Sequence, residues 1–327
     1  MSVRGPYTWN MVEKLSRHIL VASDGSPNAK RVLAYISELF ARRSDFEVTI
    51  VSIAPPVPSH LRQVNPALHE VKRWKLVEEI EAKHFQLAQD IVIRAKEFLV
   101  SHGFPPSRVH TKALVQRADV ARDILFEARM GKYDAVAVGR RGLSRMAASF
   151  MGSVSYKLIQ SQSEVPVWLI DGQVVNSRYL LAVDLCEDCL KVIDHVGFIL
   201  AGDSEAEIVL YHVIPSFRPF MAKEEEFFLG EIEELVLKKE EERARAFFQE
   251  ASKILAEGNF SENQIRVKIK TGSTNVAADI INEAQRGNYG TVALGRRGQG
   301  GFKEMILGST STKVIFGLMD RAIWVVA

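Results

Sequence analysis

The chain has 327 residues, a net charge of +2 and 47% hydrophobic residues. That length suits two domains, each with a core of its own, and the near-balanced charge gives no footprint of a nucleic-acid or polyanion binder. No apolar run approaches the roughly 20 residues of a membrane span, so neither nucleic acid nor membrane insertion is expected. The N-terminus lacks an apolar secretory region, and two cysteines permit one local pair at most. The expected location is the cytoplasm.

Residues 1–16 read as a polar leader with a short helix from Asn10 to Ser16. His18–Ser23 is a first strand, and Asp24-Gly25-Ser26-Pro27 then opens a helix to about Arg42, with Ser26 as cap and Pro27 in the first turn. Phe46–Ile53 is the second strand, and Pro55, Pro56 and Pro58 break the chain into a loop lasting to about Asn65. A long amphipathic helix follows over 69–102, with Val77, Ile80, His84, Leu87, Ile91 and Phe98 on its expected buried stripe. His84 reads there as a packed or edge histidine. Strands over 108–115, 134–138 and 165–170 alternate with helices over 120–130 and 153–161.

Asp171–Arg178 is polar and rich in turn residues, and it marks the boundary between domains at 17–171 and 178–327. The order then repeats. Strands are expected at 179–183, 207–214, 265–270, 289–294 and 321–327, with helices at 187–200, 223–257 and 275–284 and one after the last glycine motif. In the longest helix Phe228, Ile232, Leu235, Phe247, Ala251 and Ile254 form the expected buried face, and Glu240–Arg243 a solvated one.

The repeat is carried by two copies of one motif. GRRGLSRMAASFMGSVS begins at Gly139 and GRRGQGGFKEMILGSTS at Gly295, each position displaced by 156 residues (139 to 295, 152 to 308, 155 to 311). Each copy follows a short apolar strand of the kind found in buried parallel sheets. Glycine just after a strand lets the backbone turn tightly and approach a ligand. The later Gly-Ser-x-Ser opens a helix, whose first amides and dipole favour an anion. Hydroxyls of Ser153, Ser155, Ser309 and Ser311 can donate to phosphate, and Arg140, Arg141, Arg296 and Arg297 add charge suited to it. Strands alternating with helices imply right-handed parallel βαβ units, with ligands outside the carboxyl ends of the strands. Asp24 and the glycine loop both lie at such ends.

With these motifs, and with ILVASDGS, LLAVD, VPVWLI and AIWVVA around them, the chain resembles the universal stress protein family as a tandem two-domain member. The resemblance implies an α/β fold of two tandem doubly wound domains. Each is expected to be a five-stranded parallel sheet with helices on both faces, Rossmann-like and similar to the adenine nucleotide alpha-hydrolases. It further implies fifth strands that pair across a two-fold axis, giving an intrachain pseudo-dimer or a homodimer. ATP, with or without Mg2+, is the implied ligand, and an unnamed protein is the implied partner. The first site would use Asp24, Ile53, Gly139, Arg141, Gly142, Gly152, Ser153 and Ser155. The second would use Asp184, Val213, Gly295, Arg297, Gly298, Gly308, Ser309 and Ser311.

Each copy departs from the pattern once. Gln116 stands where the second copy has Gly272, and its side chain can crowd a nucleotide or bond to it. Asp184 is followed by Leu185-Cys186 where the first copy has Gly25-Ser26, which removes a flexible turn and a cap. Cys186-Glu187-Asp188-Cys189 at a helix start suits a redox pair, but two acids between the thiols raise their pKa. A zinc site would need two further ligands, with His195 and His212 the candidates. Small residues filling a helix start is the plainer reading, and no metal site or catalytic residue is assigned. The loop lacks the Gly-Lys-Ser/Thr ending of a P-loop. The expected function is therefore a nucleotide-responsive stress regulator, hydrolysing or self-phosphorylating slowly at most. The alternatives are an interaction module with vestigial pockets and, less favoured, an adenylylating enzyme, whose Ser-Gly-Gly-x-Asp-Ser loop is replaced here by Ser23-Asp24-Gly25-Ser26.

Overall fold

The computed structural model describes residues 16–58, 70–140, 152–161, 163–172, 174–216, 229–298 and 307–327. The leader helix expected at 10–16 and the start of the helix expected at 223 fall outside them. Contact density divides the chain into two compact units, one of 16–158 with 169–171 and one that includes 159–168 and 172–327.

In the first repeat, β1 (Arg17–Ala22), α1 (Pro27–Phe40), β2 (Phe46–Ala54), α2 (Glu70–Ser101), β3 (Val109–Val115), α3 (Val120–Met130), β4 (Ala135–Gly139), α4 (Ser153–Gln160) and β5 (Val167–Ile170) alternate as expected. The sheet runs in the order β3-β2-β1-β4-β5, and β1 pairs in parallel with both β2 and β4. The second repeat holds β6 (Arg178–Ala182), α5 (Glu187–Leu200), β7 (Glu207–Pro215), α6 (Leu229–Glu257), β8 (Ile265–Ser273), α7 (Val276–Arg286), β9 (Thr291–Gly295), α8 (Ser309–Gly317) and β10 (Ala322–Val326). Its order is β8-β7-β6-β9-β10, with parallel pairing throughout. Chain direction across each sheet reverses between the first and fourth strands of the repeat, which is where an open α/β sheet leaves a crevice.

Strands β4, β5, β9 and β10 are buried at four or five consecutive residues. Both faces are thus covered, as a parallel sheet of apolar runs requires. Local chemistry sets the helix ends. Ser26 Oγ accepts from the Ala29 amide, with Pro27 in the first turn of α1. Asp119 caps α3 and Asn275 caps α7. Even surface pairs repeat at the 156-residue offset: Lys112 bonds Glu127 at 2.5 Å, and Lys268 bonds Glu283 at 2.6 Å.

Of the faces expected of the long helices, Val77 and Ala251 are buried, Phe228 lies outside the described residues, and two leucines turn out. Leu87 is 53% exposed and Leu235 69% exposed. The buried stripe is Ala88, Val92, Ala95 and Leu99 in α2, and Ala244, Phe248, Ala251 and Leu255 in α6, the same four-three-four spacing in both. Alanines at alternate positions let each helix lie close to its sheet, so the small residues face inward and large neighbours turn out. The charged run of α6 is solvated as expected, with Arg243 on Glu240 at 2.6 Å. His84 is half-buried, its ring 2.9 Å from the Pro55 carbonyl. No helix among the described residues is long and apolar enough to cross a membrane.

Candidate functional site

The second repeat carries a cavity of about 320 Å³ at the carboxyl ends of β6, β7 and β9. All eight residues expected at the second site line it: Asp184, Val213, Gly295, Arg297, Gly298, Gly308, Ser309 and Ser311. Four elements bring them together. Asp184 follows β6, Val213 lies in β7, Gly295 ends β9, and Gly308 precedes α8. Tyr211, His212, Ile280 and Val314 are also in the wall. Nothing in a single sequence separates these four from ordinary core residues.

At the polar end, Gly308 is extended and α8 begins without any side-chain cap. Its first-turn amides and dipole are therefore turned to whatever occupies the cavity, the arrangement that favours an anion. The Gly308 amide donates to the Arg296 carbonyl at 2.7 Å and so ties the end of the loop to its start. Ser311 Oγ donates to the Gly295 carbonyl at 2.8 Å, as Ser155 Oγ donates to Gly139 at 2.9 Å in the first repeat. A hydroxyl has one proton to give. Ser155 and Ser311 thus clamp the helix start to the strand end, and that proton is not available to a ligand. Gly298 is packed against Asp184, with a Cβ there reaching 2.2 Å from the Asp184 carboxylate.

Two arginines leave the role expected of them. Arg140 is buried, 3.8 Å from the Asp171 carboxylate. Arg296 is buried too and donates to the Ser161 carbonyl; burial, with Arg297 nearby, lowers its pKa to about 10. Both are turned into the protein, because the backbone amides of Arg140 and Arg296 bond Ile170 and Val326 and so carry these residues on past the strand ends. Arg297 is the arginine that lines the cavity.

In the first repeat Asp24, Ile53, Gly139, Gly152, Ser153 and Ser155 stand at the equivalent strand and helix ends, while Arg141 and Gly142 lie outside the described residues. Asp24 also serves its own turn, accepting from the Ser26 amide at 2.9 Å. Gly139 has the Asn28 backbone 3.0 Å from where a Cβ would stand, so close approach of α1 requires glycine there. Gln116 donates to the Ala118 carbonyl at 3.1 Å, and its amide holds the local turn. Gly272 instead adopts φ +69° with open space around it. The two copies therefore differ in backbone at this point as well as in side chain.

Cys186 and Cys189 are joined in a disulfide at the start of α5. This departs from the plain helix-start residues that the sequence suggests; three-residue spacing across one helical turn is what lets the sulfurs meet. His195 and His212 are engaged elsewhere. His212 bonds the Val183 carbonyl at 2.8 Å. His195 is buried, and burial lowers its pKa to about 3. Its Nε2 accepts from the Trp168 indole at 3.1 Å, so the neutral ring carries its proton on Nδ1.

Comparison with known proteins follows the same division. The model of the universal stress protein family matches residues 16–171 and again 176–316. A universal stress protein of Thermus aquaticus is 26% identical over 154 residues, 46% of this chain and 96% of that protein. Among solved structures, a universal stress protein from Archaeoglobus fulgidus superposes with a TM-score of 0.60 at 21% identity, covering 95% of this chain and 98% of its own. A functionally unknown protein from Pseudomonas aeruginosa PAO1 gives 0.56 at 16% identity, covering 97% and 94%. At these identities the two structures speak for the fold, a parallel α/β sheet with helices, and the twice-matched family model speaks for ancestry. The chain belongs to the universal stress protein family, as a tandem of two Usp domains.

Proposed function

We propose that this chain binds ATP, with or without Mg2+, and that occupancy changes its contacts with a protein partner during the stress response. One observation carries the reading: eight residues expected at a nucleotide site from their motif positions all line one cavity of about 320 Å³. That volume falls in the roughly 300–1,000 Å³ range of small-molecule sites. The cavity has an apolar wall, Val213, Ile280 and Val314, fit for a flat base. It has an uncapped helix start and Arg297 for phosphates, and a carboxylate, Asp184, able to accept from a base or sugar. The first repeat shares the clamp and the strand-end glycine, and it is proposed to bind in the same way.

The proposed role is regulatory. The loop lacks the Gly-Lys-Ser/Thr ending that places lysine and magnesium for fast phosphoryl transfer, so hydrolysis or self-phosphorylation would be slow. The test has two steps: denaturing chromatography of purified protein for co-purified nucleotide, then calorimetric titration of nucleotide-free protein with ATP. Saturable binding supports the reading. No binding by folded, nucleotide-free protein overturns it and leaves an interaction module with vestigial pockets.

A further inference from the structure

The two copies secure the same helix start by different chemistry. In the first, Gly25 takes the turn with φ +73°, and Ser26 Oγ accepts from the Ala29 amide at 3.3 Å. In the second, Leu185 takes the turn with φ +48°, a left-handed conformation that side chains disfavour. Cys186 is the N-cap of α5 and makes no side-chain capping hydrogen bond. Instead a disulfide runs from Cys186 to Cys189, with Cα atoms 5.1 Å apart. It joins the same two helix positions, N-cap and N3, that the serine cap joins in the first copy.

This bond lies beside the cavity. Cys189 is 3% exposed and lines it, and its Sγ accepts from the Asp184 amide at 3.4 Å. Asp184 in turn fills the space beside Gly298 of the glycine loop. Cys186 is only half-buried, whereas Cys189 is held inside. A helix N-terminus favours thiolate at such a position, and Glu187 and Asp188 between the cysteines oppose it.

We propose that Cys186 and Cys189 form a reversible redox site, with low-molecular-weight disulfides as oxidant and thiols as reductant, and that its state sets ligand affinity in the second cavity. The coupling rests on the nucleotide reading above; the redox site does not. The Cys186 thiolate attacks one sulfur of R–S–S–R, forming a mixed disulfide and expelling RS⁻. The Cys189 thiolate then attacks Cys186 Sγ, closing the ring and expelling the second RS⁻. Two protons from the cysteines and two electrons leave in two molecules of RSH, and excess thiol reverses both steps. Closed, the bond holds the left-handed turn at Leu185 and the place of Asp184. Opened, it leaves a thiol, a weak acceptor, at the N-cap. The first turn of α5 then loosens, and ATP affinity in this cavity falls about tenfold.

The experiment equilibrates the full chain in mixtures of reduced and oxidised glutathione. Redox state is read by alkylation and mass, amide exchange over 184–190 by hydrogen–deuterium exchange, and ATP affinity by titration. Two variants are run beside it: Cys186→Ser, which restores a hydroxyl cap and cannot close, and Cys186→Ala, which can do neither. The expected result is full interconversion, amide exchange about tenfold faster on reduction, and weaker ATP binding. Cys186→Ser should match the oxidised protein, and Cys186→Ala the reduced one, in every buffer. A pair that does not exchange with glutathione, or amides indifferent to its state, overturns the redox site. Equal ATP affinity in both states overturns the coupling and leaves the nucleotide reading standing. Absence of ATP binding in either state sinks the nucleotide reading, while alkylation and exchange still decide the redox site.

Discussion

Ser311 Oγ donates to the carbonyl of Gly295 across 16 residues at 2.8 Å, and Ser155 makes the same bond to Gly139 in the other repeat. The bond fixes where α8 begins relative to the end of β9, and so fixes the loop between them. Ser311→Ala leaves that carbonyl without its partner. The expected cost is about 1–2 kcal/mol of stability, read by urea unfolding, with weaker ATP binding beside it. A variant as stable as the parent would show that the clamp contributes nothing.

Gly298 tests the floor of the cavity. An alanine Cβ would stand 2.2 Å from the Asp184 carboxylate, so Gly298→Ala must push Asp184 aside. Because the change lies in a loop at the cavity edge, unfolding stability should move by less than about 1 kcal/mol. ATP affinity should fall tenfold or more, about 1.4 kcal/mol, measured by calorimetry. Unchanged affinity would remove Asp184 from the proposed site.

His195 predicts a pH dependence. Its pKa is lowered from 6.5 to about 3 by burial, so between those values the unfolded chain binds a proton that the folded chain does not. Stability is then lost as pH falls below 6.5. From pH 7 to pH 5 the loss from this group is about 2 kcal/mol. His195→Gln keeps an acceptor for the Trp168 indole and does not titrate, and it should flatten that part of the urea-midpoint profile. An unchanged profile would mean that the ring is not held neutral.

Asp171 faces two arginines of different standing. Arg140 is buried at 3.8 Å, whereas Arg31 is 41% exposed at 4.0 Å. Asp171→Ala removes the carboxylate beside a buried cation and should cost about 3 kcal/mol. Arg31→Ala should cost less than about 1 kcal/mol. Paired urea curves give both values, and equal costs would contradict the distinction.

Much of the fold was legible because the 156-residue repeat supplied a second reading of every element. The strand and helix order, the strand-end glycines and the residues lining the second cavity followed from it. Residue size is a poor guide to burial in the long helices: Leu87 and Leu235 turn outward, since Ala88 and Ala244 let the helices come close. Burial of Arg140 and Arg296 had no local signal, because it depends on where Asp171 and Ser161 arrive in space. The disulfide was within reach of the spacing, but Glu187 and Asp188 argued against reactive thiols and concealed the missing cap. That Leu185 adopts φ +48° where Gly25 adopts φ +73° is visible only in the backbone.

The central claim is that the second cavity is a working nucleotide site, and titration of nucleotide-free protein with ATP, alongside Gly308→Val, tests it most directly. A Cβ there would stand in ordinary contact with the Arg296 carbonyl at 3.4 Å, and the methyl groups of valine would fill the space at the uncapped helix start. The account predicts saturable binding by the parent and one site fewer in the variant, with the fold retained by circular dichroism. Binding that is identical in both proteins, or absent from the parent, would contradict it.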